Sequence, residues 1–227
     1  MNIPKKKEYE DLWFAIRAEL SIIASIIYKN SQLIETDLQA LEDSLKTGYE
    51  TDEDSEIKAN KLYWAEITSK VARFNNSRIL NSSMLIYSYS LFEVILRDIC
   101  TVFEKIHSSK ISAKDLNGMG IEQSRNFLKL VAEIDLTKPQ LNSLWYKIKQ
   151  YATIRNLIVH RYANFVKEPD KPLEKQKMYN YIKNNEYLEF EEGTGKFHII
   201  DKQYNLIFLG LAQNFTEMIL LELDKKN

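Results

Sequence analysis

Arg155, Asn156 and His160 fall inside the stretch Ile154-Arg155-Asn156-Leu157-Ile158-Val159-His160-Arg161-Tyr162. It is the one place in the chain where Arg and His stand close together at a spacing a helix can use. At about 100° per residue, Asn156 and His160 share one side of a helix, and Arg155 lies about 100° round from Asn156. These residue types suit phosphodiester chemistry on RNA. An imidazole can exchange a proton with a 2′-hydroxyl or a leaving oxygen near neutral pH. A guanidinium can stabilise the charge of a phosphorane-like transition state through its forked donors. The amide can position a phosphate or hold the imidazole. No metal is implied, because His107, His160 and His198 lack Cys or carboxylate neighbours at ligand spacing. A histidine at a helix end also serves as a simple cap, favoured there by the dipole, and spacing alone leaves both readings open.

The element that carries these residues is expected to begin at Thr137, a candidate N-cap, with Pro139 in the first turn, and to run from about 139 to about 160. On its wheel Leu144, Lys147, Tyr151, Ile154 and Ile158 gather on one side. That side is the expected bundle face, with Lys147 at its edge and Arg155 at its margin. Leu157 and Val159 flank the polar pair on the far side. A helix apolar nearly all round should be buried nearly all round. The last turns come close to that pattern and yet carry Arg, Asn and His. A second surface covering them is expected, from another subunit or a ligand cleft.

The remaining elements supply a frame. Few Gly and Pro residues predict long helices. From 8 to 46, Trp13, Ile16, Leu20, Ile23 and Ile27 keep a 3-4-3-4 rhythm, followed by Ile34, Leu38, Leu41 and Leu45. This reads as one long helix or two nearly collinear ones with a slip near Asn30-Ser31. It packs as a helical hairpin arm or offers a seam to a partner. Residues 48–55 read as an acidic loop, and Asp52, Glu53 and Asp54 lack the pattern of a calcium loop. A second helix is expected over 57–74, with interruptions at Asn75-Asn76-Ser77 and Asn81-Ser82-Ser83. The strongly apolar segment 85–106 is the expected central bundle helix. It carries Cys100 as an inert core residue and Glu93 four residues before Arg97, at pairing distance. Residues 108–120 form a loop, where Gly118-Met119-Gly120 lacks the spacing of a phosphate loop. A short helix follows over 121–132. After a loop at 161–172 come a short helix at 173–183, a β-hairpin over 187–200 turning at Gly193-Thr194-Gly195, and a final amphipathic helix over 203–223.

Composition bounds the class. The chain has 227 residues, 44% hydrophobic and 28% charged, with formal net charge -1. Binding of nucleic acid by overall basicity is therefore not expected, although a local basic patch is compatible with these totals. One cysteine excludes an intrachain disulfide and fits a reducing compartment. No signal peptide is read at the basic N-terminus and no apolar run near the length of a membrane span, so a cytoplasmic protein with no membrane partner is expected.

The stretch from Ile154 to His160 resembles the signature of the HEPN superfamily: Arg, a polar residue that is often Asn, a few apolar residues, then His. The segment from Ser88 to Asp98 resembles that family's earlier core helix, which often carries a Glu. The segment from Asp115 to Ile121 resembles the loop between the two. The resemblance covers roughly residues 80–162. It implies an all-α fold, a HEPN-like helical bundle over 76–227; the long N-terminal helical arm over 1–75 and the small β-hairpin insertion before the last helix depart from the compact family pattern. It implies a homodimer in which two motifs face each other and build one composite site. It also implies metal-independent RNA cleavage without a cofactor by Arg155, Asn156 and His160, in a toxin or phage-defence setting with an antitoxin or nucleotidyltransferase partner. His160-Arg161-Tyr162 resembles an extended form of the motif, whose Tyr is adenylylated in some family toxins, and the plain alternative for Tyr162 is an ordinary packing residue. Glu93 is expected either to orient Arg155 across the bundle or to pair with Arg97. Some members have lost catalysis, which makes a non-catalytic helical interaction module the alternative function.

Overall fold

The computed structural model describes residues 3–49, 55–165, 167–168 and 170–226. Among them are six α-helices, α1 (Lys7–Tyr49), α2 (Ser55–His107), α3 (Ile121–Leu130), α4 (Pro139–Arg161), α5 (Lys177–Lys183) and α6 (Gln203–Asp224), and a two-stranded antiparallel hairpin, β1 (Leu188–Glu191) and β2 (Lys196–Ile199). The fold is an all-α helical bundle with a small hairpin before its last helix. The expected acidic loop at Asp52, Glu53 and Asp54 lies outside the described residues.

α1 is one unbroken helix, with no break at Asn30. Its 3-4-3-4 residues Trp13, Ile16, Leu20, Ile23 and Ile27 are all buried in the main core. That seam is filled by the chain's own α2 and α6, so it is not open to another protein. Arg17 pairs with Glu217 at 2.8 Å, and the N–H groups of Lys5 and Lys6 donate to the Asp224 carboxylate, tying the start of α1 to α6. The first half of α1 therefore belongs to the bundle. Only its second half, with the facing part of α2, projects as an arm, where Leu38, Ala65 and Ser69 are buried. The boundary expected at residue 75 falls inside a continuous helix.

That continuity corrects the expected interruptions at Asn75-Asn76-Ser77 and Asn81-Ser82-Ser83: α2 runs through both as 53 residues of helix. Tertiary contacts override the weak local propensity of Asn and Ser. Buried Asn81 donates its amide to the Ile199 carbonyl at 3.2 Å, and its own carbonyl accepts from the Asn205 amide at 3.0 Å. One turn earlier, Arg78 clasps Glu189 and Glu191 of the hairpin and lies over the Phe74 ring.

The bundle core is aromatic where α2, α4 and α6 meet. Phe92 packs edge-on to Phe208 and Phe215, Trp145 lies 5.4 Å from Phe215, and Tyr151 lies 5.2 Å from Phe208. Fully burying one such ring is worth roughly 1.5–3 kcal/mol. Cys100 of α2 is fully buried against α3, near the Ser124 carbonyl, and burial pushes its thiol up to about 12, so it is a packing residue. By length and composition alone, two helices, Glu56–His107 and Gln203–Asp224, are long and apolar enough to cross a membrane, contrary to the expectation from apolar run length. Both supply this core.

Candidate functional site

α4 positions the motif. Its first turn differs from expectation. Lys138 occupies the N-cap, and Thr137 instead donates its hydroxyl to Asp135 Oδ1 at 2.5 Å, so the Thr is spent on the preceding turn. Pro139 sits in the first turn as expected. The buried face is wider than the wheel indicated: Leu141, Trp145, Ile148, Tyr151, Ala152 and Ile154 are buried, Leu144 and Ile158 half-buried, and Lys147 is out in solvent. The reason is that α4 packs on α6 through Trp145 and Tyr151 and on α2 near Arg155, so two neighbours share its surface. Lys147 falls outside both contacts.

The motif divides accordingly. Arg155 is half-buried, with its guanidinium 5.7 Å from the Tyr89 ring centroid on α2. Its Nη1 donates to Asn156 Oδ1 at 3.1 Å, and its Nε is buried with no hydrogen-bond partner. Asn156 and His160 are exposed on the same side of the helix, one turn apart. The structure thus brings Arg155 and Asn156 into direct contact and sets His160 beside Asn156 with its ring free toward solvent. No hydrogen bond to the His160 ring is seen among the described residues.

Burial pushes the Tyr89 hydroxyl far up from its ordinary pKa; Glu93 and Glu122 add to the effect and Arg155 opposes it. One buried phenol on α2 thus feels charges from α2, α3 and α4, and Arg155 of α4 lies over its ring. Glu93 makes neither expected ion pair, with Arg155 or with Arg97. Its carboxylate turns instead toward Gly120, the residue before α3. Gly120 has φ +57°, which favours glycine; a Cβ there would also meet Glu93 Oε1 at 2.5 Å, the flexible end of a side chain that can swing aside. Glu93 and Arg97 line one small pocket together with Lys114, Gly120 and Gln123. Glu122 of α3 pairs with Lys149 of α4, and Arg125 lies over the Trp145 ring, which fixes α3 against the motif helix.

The end of α4 is unusual. Tyr162 (φ +52°) and Ala163 (φ +59°) are consecutive left-handed residues, neither a glycine. Each costs roughly 1–2 kcal/mol relative to a right-handed conformation. The conformation is held by the Ala163 N–H donating to the Leu157 carbonyl, and by the hairpin. Asn164 bridges to Lys196, the Phe165 N–H donates to the Gly195 carbonyl at 2.9 Å, and the Phe197 N–H donates to the Ala163 carbonyl at 3.0 Å. The hairpin thus clamps the chain as it leaves the motif. One result is that Tyr162 is 85% exposed, so its ring does not pack into the core of its own chain. Arg161 is exposed beside it.

Charge is the signal that motif reading missed. α4 carries no Asp or Glu. Residues 136–185 hold ten Lys or Arg against three Asp or Glu, a net +7 inside a chain of net -1. Counting charge in windows rather than over the whole chain would have found it. Among the described residues no three His, Cys, Asp or Glu side chains gather as a metal site would require.

Compared with known proteins, the chain matches no family model, no curated protein and no solved structure.

Proposed function

We propose that the protein is a metal-independent endoribonuclease of HEPN type, whose Arg155, Asn156 and His160 act in a site shared by two copies of the chain. The observation that carries this reading is the exposure of Asn156 and His160 on one side of α4, beside a guanidinium already held by Asn156 and Tyr89. Half-buried Leu157 and Ile158, with partly exposed Val159, leave an apolar surround to that pair. A second α4 laid against it would exclude water and bring two sets of the same groups together. In such a cleft His160 takes the proton of the attacking 2′-hydroxyl or returns one to the 5′ leaving oxygen. Arg155 faces the phosphoryl oxygens as charge builds on them, and its anchoring makes that stabilisation preorganised. In this reading the exposed Tyr162 hydroxyl is the nucleophile for a modifying nucleotidyltransferase: its oxygen attacks the α-phosphorus of a nucleoside triphosphate, pyrophosphate leaves, and a phosphate-linked group remains two residues from His160. A toxin or phage-defence role belongs to the same reading.

The test is cleavage of RNA by purified protein in excess chelator. Cleavage that survives chelation and disappears in His160→Ala supports the proposal. Absence of cleavage under all conditions, or equal cleavage by the variant, sinks it.

A non-catalytic interaction module is the second reading, favoured by one observation. Ile57, Trp64 and Val71, seven residues apart on the arm, are 49%, 59% and 53% exposed. In that case Trp64→Asp abolishes function and His160→Ala is silent.

A further inference from the structure

The cations around the motif divide into two groups. Lys138, Lys149, Lys171 and Lys183 are each paired with a carboxylate: Glu222, Glu122, Glu168 and Glu192. Lys147, Arg161, Lys167, Lys175, Lys177 and Lys196 are exposed, and among the described residues none of them has an ion pair. Lys147 stands within the motif helix; the other five lie from its last residue onward or on the strand that clamps the chain. Lys196 is bridged to Asn164, three residues after Arg161.

The segment that carries Lys167, Lys175 and Lys177 is not a loose tail. Gln176, only 2% exposed, gathers it. Its side-chain amide donates to the carbonyls of Lys171 at 2.7 Å and Glu168 at 3.1 Å, and its Oε1 accepts from the Glu168 N–H at 3.0 Å. The Asn180 amide donates to the Glu174 carbonyl at 2.7 Å. A buried amide thus orders a segment in which Lys167, Lys175 and Lys177 stand exposed and unpaired, beside the Lys171–Glu168 pair and the exposed carboxylates of Asp170 and Glu174. With Arg161 and Lys196 the segment keeps a net positive surface that a polyanion would neutralise. The exposed Tyr162 ring, next to Arg161, adds a face on which an unpaired base can stack.

We infer that Arg161, Tyr162, Lys167, Lys175, Lys177 and Lys196 form a binding track for the backbone of single-stranded RNA, separate from the catalytic set and continuing from it. The track rests on the ribonuclease reading for its choice of RNA. It assigns to the loop and hairpin the task of holding the strand beyond the scissile phosphate. Arg161, Lys196 and Lys167 contact phosphates nearest the motif, and Lys175 and Lys177 contact those farther along.

The experiment uses full-length His160→Ala protein, so that binding is read without cleavage. A fluorescein-labelled single-stranded RNA of about 20 nucleotides is titrated by anisotropy from about 50 to 200 mM KCl. Adding Lys167→Gln, Lys175→Gln and Lys177→Gln is expected to weaken binding at least about tenfold at the low-salt end. It should also flatten the log–log salt slope by about 2, at about 0.7 for each single-strand phosphate that is no longer neutralised. The same charge change on the arm, at Lys46, Lys61 and Lys70, should leave both quantities unchanged. Unchanged affinity and slope in the loop variant, or an equal loss in the arm variant, overturns the inference. If the wild type cuts no RNA while the loop variant still loses binding, the ribonuclease reading fails and the track stands.

Discussion

The arm and the motif end are both rich in charge and both expose aromatic rings, but the motif end leaves more of its cations without a carboxylate. On the arm, Lys46 pairs with Glu42 at 2.6 Å, Lys70 with Glu66 at 2.5 Å, and Arg73 with Glu35 and Glu42. These charges answer one another across and along the two helices. At the motif end, Arg155 leans on an amide and a phenol, Arg161 has no carboxylate, and Lys167, Lys175 and Lys177 are unpaired among the described residues. The backbone differs too. The arm is regular helix throughout its described length, whereas the motif helix ends in two left-handed residues clamped by a hairpin. Ion pairs that close on themselves hold a shape; cations left open on a strained, clamped turn are available to a ligand.

The largest effect that would break this contrast is expected at Arg155. Arg155→Lys keeps the charge but loses the fork, and should lower kcat for RNA cleavage about 10²-fold or more with little change in thermal stability. Wild-type cleavage by this variant would place Arg155 with the arm's structural cations.

A smaller effect, on stability, is expected at Gly120. Gly120→Ala puts a side chain at a left-handed position and moves the Glu93 carboxylate aside, and should cost roughly 1–3 kcal/mol in chemical denaturation, most of it backbone strain. Double substitution with Glu93→Ala should recover only the part due to contact, because the backbone strain remains.

Next comes the joint between the two regions. Burial and the nearby Arg78 lower the pKa of His198, partly offset by its 2.8 Å contact with Glu191. A histidine whose folded pKa lies below its unfolded value of 6.5 contributes stability that is complete above 6.5 and is lost as pH falls through the folded value. Tm should therefore fall as the pH drops below about 6.5, and His198→Gln should reduce that slope. It should not remove it, because burial beside Lys6 and Lys226 lowers the pKa of His107 in the same sense. An unchanged slope would detach the hairpin from the stability of the bundle.

The smallest effect belongs to the arm. Arg73→Ala breaks exposed pairs and should cost no more than about 1 kcal/mol, with RNA cleavage untouched. A strong loss of cleavage would mean that the arm reaches the site.

The sequence carried the helices because their cause is local. Trp13, Ile16, Leu20, Ile23 and Ile27 repeat at helical spacing and are buried as that spacing requires. The same reading broke α2 at Asn75 and Asn81, because the hydrogen bonds that carry the helix through come from Ile199 and Asn205, more than a hundred residues away. At the site, the side shared by Asn156 and His160 was legible from their separation of four. The contact between Arg155 and Tyr89, the turn of Glu93 toward Gly120 and the exposure of Tyr162 were not. Each depends on where α2, α3 or the hairpin sits, and periodicity within one helix is blind to that.

The most direct test of the account is the chemistry of the cut ends. RNA incubated with wild-type protein in excess chelator, with products identified by mass spectrometry, should yield fragments ending in 2′,3′-cyclic phosphate and beginning with 5′-hydroxyl, and His160→Ala should yield none. Products with 3′-hydroxyl and 5′-phosphate ends, or cyclic-phosphate products made equally well by the variant, would contradict it.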